Sequence, residues 1–493
     1  MSTICGPAFA FCRRFLRPLA QAAAGALIAG GLLSGQVVAA AADKVTVEFY
    51  LEDLDHYFMT ADPAEAAAID GGAAGPWDRT GQSWGAWSTP AIAPAGSVPV
   101  CRFYGSISPG PNSHFYTASA AECEQLKQLQ AGTPASQKRW NYEGIAFYAP
   151  LPVNGQCTGG LVPLYRAYND GFAQGIDSNH RFGIDLSLAD GMREAGWIGE
   201  GAVMCVEKLV TAAAGGVRKV IASEGVPREF WVYLPSDYSA DRKYPVVVMH
   251  HGTSGNGEKF LNISGWRERA ELSKFIAVFP TARVNCFYKD GLKHSTTKWN
   301  SGSDDFVLCD PAIAKNDVLF FRNLIDHLKA NYAVDDDRIY SAGFSNGGQM
   351  SLRLAMEASD LIAAATFCSG THQVTGTPVE LIPTWFAVGE QDDRFMPLNN
   401  NQPLPMNSTL FDLPYFRAST NAILTAMQIG TDRVDNTTGT TYTAHLGTLL
   451  NGGPSREHNV SVIKGLTHLY ANGVNNPVVY ADVFWNFYSQ YHK

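Results

Sequence analysis

The chain has 493 residues, 46% hydrophobic and 17% charged, a globular composition with material for several cores. Its formal charge is -9, and an acidic chain without a basic cluster is poorly suited to nucleic acid.

Residues 1–42 stand apart. Arg13, Arg14 and Arg17 form a basic start, Leu19 to Val38 is a small-residue apolar stretch, and Val38-Ala39-Ala40-Ala41-Ala42 offers an A-x-A cleavage site. Gly and Ala dominate the stretch and no stop-transfer flank follows. The expectation is a removed signal peptide, a secreted product (extracellular or periplasmic) and no stable membrane insertion afterwards. Of the 9 cysteines, Cys101, Cys123, Cys157, Cys205, Cys286, Cys309 and Cys368 lie beyond this segment. An exported chain meets an oxidising compartment, so pairing is expected, with one thiol left over. Proximity pairs Cys286 with Cys309 and the first four among themselves, in an open connectivity. Cys368 lies in an apolar run and reads as a buried free thiol.

Residues 45–207 carry a degenerate pattern in three copies. The first has Phe49-Tyr50, His56-Tyr57-Phe58 and Trp77 to Gly81. The second has Phe103-Tyr104, His114-Phe115-Tyr116 and Trp140 to Gly144. The third has Leu164-Tyr165, His180-Arg181-Phe182 and Trp197 to Gly201. Each copy reads as short aromatic strands, a small helix and a turn, too little to bury its own core. Three copies are therefore expected to pack about one pseudo-threefold axis as a β-rich domain. The recurring rings read as that core, with binding of polymer or glycan as the alternative. The histidines lack companions at metal-ligand spacing, so no metal site is expected. The pattern resembles a repeat domain of unknown function found on secreted bacterial hydrolases, a resemblance that implies no activity.

Residues 208–216, around LVTAAAGG, read as a linker. Over 217–493 the grammar changes to apolar strands separated by helical patterns. Tyr244–His250, Phe275–Pro280, Arg338–Phe344, Leu361–Cys368, Trp385–Val388 and Asn459–Ile463 read as strands, and Asp317–Tyr332 as a helix. Buried strands alternating with helices call for an α/β fold, a mostly parallel sheet covered on both faces.

Gly343-Phe344-Ser345-Asn346-Gly347 is a G-x-S-x-G pentapeptide between one of those strands and a helical segment. Such a turn forces the serine hydroxyl outward above the sheet, the arrangement of a nucleophile in an α/β-hydrolase. A serine nucleophile needs a base and an orienting acid, following it on loops at the carboxyl ends of strands. Asp392 in Gly389-Glu390-Gln391-Asp392-Asp393 and His468 in Gly465-Leu466-Thr467-His468 occupy those places, with Asp393 as rival acid. Asp335, Asp336, Asp337 and His458 sit at the wrong ends of their strands. His250 and His251 precede the serine and are assigned to loop structure. Donors to an oxyanion are expected from the backbone of Asn346 and from Thr253 in the glycine-rich loop after His251.

His251-Gly252, Gly265-Trp266-Arg267, Asn316-Asp317-Val318, Gly343 to Gly348 and Gly465-x-x-His468 together resemble the polyhydroxybutyrate depolymerase and feruloyl esterase group of α/β-hydrolases. The resemblance covers about 217–493. It implies Ser345 as nucleophile, His468 as base, and Asn346 with Thr253 as oxyanion donors. At the acid the match is looser, since Gly389 to Pro397 is one residue longer than the family's spacing, so Asp393 stays in contention. The Cys286 to Cys309 segment, containing Trp299, resembles that family's disulfide-bearing loop over the active site. The implied activity is cofactor-free hydrolysis of polyhydroxyalkanoate-type polyesters or their oligomers, with feruloyl or acetyl-xylan ester as the alternative. A peptidase with the same machinery, or an inactive polymer- or glycan-binding protein, are competing readings.

Overall fold

The computed structural model describes residues 41–209, 215–312, 314–371, 373–374, 376–447 and 456–493. The expected leader, apart from its last two residues, and residues 210–214 of the expected linker lie outside the described residues. Among the described residues no helix is long and apolar enough to cross a membrane.

The N-terminal part consists of three antiparallel sheets built alike. Strands β1 (Lys44–Leu51), β2 (His56–Thr60) and β3 (Asp78–Ala86) form the first, with β1 central. The second has β4 (Ser97–Tyr104), β5 (His114–Thr117) and β6 (Asn141–Pro150), the third β7 (Val162–Tyr168), β8 (His180–Gly183) and β9 (Ile198–Val206). A single core takes Phe49, Phe58 and Trp84 from the first sheet, Val100, Tyr116 and Phe147 from the second, and Leu164, Phe182 and Met204 from the third. No sheet alone could shield these rings, so the three share one interior. The pairs Cys101–Cys123 and Cys157–Cys205 close loops in this part. A fully buried ion pair, Glu48 with Arg181 at 3.2 Å, joins the first sheet to the third.

The C-terminal part is a ten-stranded sheet. Its strands are β10 (Gly216–Ser223), β11 (Val226–Tyr233), β12 (Tyr244–His250), β13 (Ile276–Pro280), β17 (Val334–Phe344), β18 (Ala364–Cys368), β19 (Thr384–Gly389), β20 (Arg433–Thr438), β21 (Thr441–Leu446) and β22 (His458–Ile463). The order is β10-β11-β13-β12-β17-β18-β19-β22-β21-β20. From β13 to β22 neighbours run parallel; β10 and β11 on one side, and β21 and β20 on the other, are antiparallel. The fold is therefore that of an α/β-hydrolase with a large mixed sheet. All residues of β20 are exposed, so the sheet ends there on a polar strand.

Alternation along β12 explains the layering. Val246 and Val248 face one core, with helices 317–331, 346–357 and 414–426, while Val247 and Met249 face the other, with helices 266–273 and 480–488. Both faces are dry, which is why the central strands read as unbroken apolar runs. Asp335, Asp336 and Asp337 fall inside β17 rather than ahead of it. They occupy an irregularity where its register against β12 shifts. Their end of the sheet is still opposite to that of Ser345.

Between β13 and β17 the chain forms a small sheet of β14 (Val284–Lys289), β15 (Leu292–Thr297) and β16 (Val307–Leu308), crosslinked by Cys286–Cys309. The free thiol of Cys368 is buried. The tip of the β1–β2 hairpin docks on this small sheet. Asp55 Oδ1 accepts from the Ser295 amide at 2.9 Å and from the Tyr50 hydroxyl at 2.9 Å, and the Tyr57 hydroxyl donates to the Ser295 carbonyl at 2.6 Å.

This junction has a pH dependence. Burial pushes the Asp55 carboxyl up to about 7, against the lowering effect of the Ser295 amide and the Tyr50 hydroxyl. A carboxyl raised by folding contributes stability that is complete below its unfolded value, about 3.9, and lost as pH rises through about 7. The side chain is only partly buried, so the loss is discounted to on the order of 2 kcal/mol. Asp55→Asn keeps Oδ1, the atom that accepts both bonds, and tolerates the left-handed backbone at φ 52. The variant is expected to unfold at a higher urea concentration than wild type at pH 8 and at a similar one at pH 4. Parallel curves at both pH values would remove Asp55 as the cause.

Candidate active site

Ser345 sits on a sharp turn between β17 and the helix Asn346–Glu357, with φ 51 and ψ -122. That positive φ is strained for a residue with a Cβ, and it aims the hydroxyl away from the sheet. Close packing explains the glycines on either side. A Cβ on Gly347 would lie 2.2 Å from the His250 carbonyl oxygen, and one on Gly343 would lie 1.9 Å from that of Gly347. The Ser345 amide is tied to the Cys368 carbonyl at 2.8 Å, which fixes the turn on the neighbouring strand.

Asp392 and His468 are brought to the same rim. His468 Nε2 lies 3.0 Å from Ser345 Oγ, and His468 Nδ1 lies 3.0 and 3.1 Å from the two Asp392 oxygens. Asp392 is fully buried and its Oδ1 also accepts from the Arg394 amide at 3.0 Å. Asp393 turns outward, with 62% of its side chain exposed and Oδ1 3.9 Å from Arg394 Nε. Of the two adjacent acids, Asp392 is the one bonded to the imidazole. Ligating atoms of Asp392, Asp393 and His468 lie within 4.8 Å of one another. Both ring nitrogens of His468 are already engaged, so an ion there would have to break one of those bonds.

Asn346 follows Ser345 in the chain, and Gly252, the neighbour of Thr253, packs against Ser345. The amide of Asn346 opens its helix and so has no acceptor within it. The Asn346 side chain accepts from the Trp299 amide at 2.6 Å and donates to the Trp299 carbonyl at 3.2 Å. The Trp299 indole donates to the His251 carbonyl at 2.8 Å, so one buried tryptophan clamps both loops. Gly252 packs so tightly on the turn that a Cβ there would lie 3.2 Å from Ser345 Cβ. An amide left free at a helix start beside a hydroxyl–imidazole–carboxylate chain can polarise a carbonyl and help hold the oxyanion formed on it.

The other histidines serve structure. His250 Nδ1 is 3.0 Å from the Ala342 carbonyl, and His251 Nε2 accepts from the Ala282 amide at 2.9 Å. Burial pulls them down to about 4 and about 3, so both stay neutral. His458 is likewise buried, against Thr384 at 2.9 Å.

The sequence reading passed over Glu52, Lys298 and Arg394. Lys298 is 3% exposed, with Nζ 3.1 Å from Thr253 Oγ1 and above the rings of Phe287 and Phe306 at 4.6 and 4.5 Å. Burial pulls it down to about 8 although Glu52 and Asp305 oppose this. Glu52 reaches Lys289 and Arg394, each at 3.0 Å. Burial pushes its carboxyl up, but Lys298, Arg394 and Lys289 together outweigh that and hold it well below the usual range. Nothing local marks Glu52, in a stretch with three other acids nearby. The Lys-Trp pair at 298–299, between two cysteines, was the available signal.

Residues 222–402 match the family model described as "Putative esterase", and residues 46–207 match one described as a domain of unknown function, DUF5648. Feruloyl esterase B of Piromyces equi is 30% identical over 138 residues, 28% of this chain and 23% of that protein. Poly(3-hydroxyalkanoate) depolymerase C of Paucimonas lemoignei is 25% identical over 142 residues, 29% of this chain and 31% of its own. The chain spans half or less of the length of the curated relatives it matches. An acetyl xylan esterase structure from Aspergillus awamori aligns with 55% of this chain and 99% of its own, at 15% identity and a TM-score of 0.37. Sheet order and family match agree: residues 222–402 match an esterase family model within an α/β-hydrolase fold, and a DUF5648 match precedes them.

Proposed function

We propose that this protein hydrolyses carboxylic esters through a serine acyl-enzyme. The observation that carries the reading is the unbroken chain Asp392–His468–Ser345, each link at 3.0 to 3.1 Å. Ser345 Oγ attacks the ester carbonyl while His468 Nε2 takes its proton. The oxyanion is held by the amides of Asn346 and Thr253, each donor worth about 10²–10³ in rate. The tetrahedral intermediate collapses, His468 protonates the leaving alcohol, and the acyl group stays on Ser345. Water, deprotonated by the same imidazole, then releases the acid. Asp392 faces Nδ1 and holds the imidazole in place throughout.

The preferred substrate is a polyhydroxyalkanoate-type polyester or its oligomers, with feruloyl and acetyl-xylan esters as the alternative. The relatives just described support both. We further assign the protein to a site outside the cytosol, a reading supported by its three disulfides. The three like-built sheets are read as copies of one unit whose recurring rings make a shared core, with binding of polymer or glycan as the alternative.

A fluorophosphonate probe is expected to label Ser345 in the folded protein. A folded protein that stays unlabelled would favour an inactive binding protein. Release of acid from polyhydroxybutyrate film, a feruloyl ester and acetylated xylan, measured side by side, ranks the substrates. Activity on a peptide amide alone would overturn the ester reading.

A further inference from the structure

We propose that Glu52, supplied by the DUF5648 domain, is a positioning residue for the esterase site, acting through Arg394 and Lys298. The inference rests on the serine-esterase reading above.

The hairpin tip carrying Glu52 is anchored beside it by Asp55, whose Oδ1 accepts from the Ser295 amide at 2.9 Å. Glu52 then bridges Lys289, at the end of β14, and Arg394, both at 3.0 Å. The Arg394 amide is in turn bonded to Asp392 Oδ1 at 3.0 Å, so one carboxylate of the first domain steadies the loop bearing the candidate acid. Its charge also acts on Lys298, whose ammonium donates to Thr253 Oγ1 at 3.1 Å. Lys298 precedes Trp299, the residue that clamps Asn346 to His251. The loop bearing Asp392 is therefore bonded, through Arg394, to one acid outside the esterase domain, and the charge of that acid bears on the other side of Ser345 through Lys298. A buried ammonium needs a compensating anion, and Glu52 supplies it from across the domain junction.

The charged groups acting on Lys298 are Glu52 and Asp305, which favour its ammonium, and Lys289 and Arg394, which oppose it. With Glu52 present Lys298 titrates at about 8 and is charged below that. Removing the anion lowers this value, so the charge is lost at a lower pH. A residue that merely glued two domains together would not move a pH profile.

The test uses full-length protein and hydrolysis of a p-nitrophenyl short-chain ester. Glu52→Gln is expected to lower kcat about 10- to 100-fold with KM changed less than about threefold. The alkaline limb of its kcat profile should move to lower pH. Asp53→Asn, exposed on the same turn, is expected to match wild type. Lys298→Met replaces the ammonium with an apolar chain of similar length, and is expected to lose kcat, with the Glu52 change adding less to it than that change costs alone because only the Arg394 route remains. Wild-type kcat in folded Glu52→Gln, or an unmoved alkaline limb, overturns the proposal. Should Glu52→Gln not fold, wild-type kcat in Lys298→Met overturns it instead. Ser345→Ala run in the same assay separates the two readings. If that variant stays active, the serine mechanism fails and this inference with it. If only Ser345→Ala is dead, the mechanism stands and the role of Glu52 alone fails.

Discussion

Ser345→Ala is expected to lower kcat for a p-nitrophenyl short-chain ester by about 10⁶-fold, to a residue left by oxyanion donors and binding alone. The size of the effect follows from the geometry. The hydroxyl makes one bond that matters for chemistry, 3.0 Å to His468 Nε2, and among the described residues no other side-chain oxygen is bonded to that nitrogen. The backbone needs no hydroxyl to hold its shape. The turn is fixed by the Ser345 amide on the Cys368 carbonyl and by the Gln349 amide on the Ser345 carbonyl, at 2.8 and 3.0 Å. Circular dichroism and the unfolding midpoint should therefore match wild type. Residual turnover above a few per cent, from protein free of contaminating esterase, would refute Ser345 as nucleophile.

The second large effect separates two neighbours. Asp392→Asn is expected to cost about 10⁴ in kcat, because an amide facing Nδ1 favours the wrong imidazole tautomer. Asp392 is fully buried against that ring, so no water can take over its part. Asp393→Asn should stay within about twofold of wild type, since the side chain is 62% exposed and its ion pair with Arg394 is long. Measured in parallel, equal mild losses for both would place the acid on another loop.

The difference between these two acids shows where the sequence stops being legible. Gly389 and the strand before it announce a loop at the right rim, but adjacent residues point to opposite sides. Only the turn closed by the Asp392 carbonyl, which accepts from the Phe395 and Met396 amides, decides which one faces inward. The centre of the sheet was readable because strands dry on both faces must be apolar throughout, as Tyr244–His250 is. The antiparallel margins were not. Strand β20, Arg433–Thr438, has a single aliphatic residue and borrows its order from β21 rather than from a core. Strand β15 was hidden similarly, since its buried side chains are His294, Ser295, Thr296 and Thr297. Those polar residues are covered partly by Tyr50 and Tyr57, far away in the chain, and no local pattern could reveal that. Glu52 and Lys298 were missed for the same reason. Their importance lies in contacts between segments that composition and periodicity treat separately.

The polar last strand has a consequence for handling the protein. A broad sheet that stops abruptly offers open amides and carbonyls to any neighbour able to zip onto them. Here the rim presents Arg433, Asp435, Asn436, Thr437 and Thr438 to water, so a second molecule would have to strip hydration from charges before pairing. Such a border is expected to disfavour edge-to-edge growth in concentrated solution. Replacing Arg433 and Asp435 with valine should turn that border adhesive, seen as light scattering that rises with protein concentration.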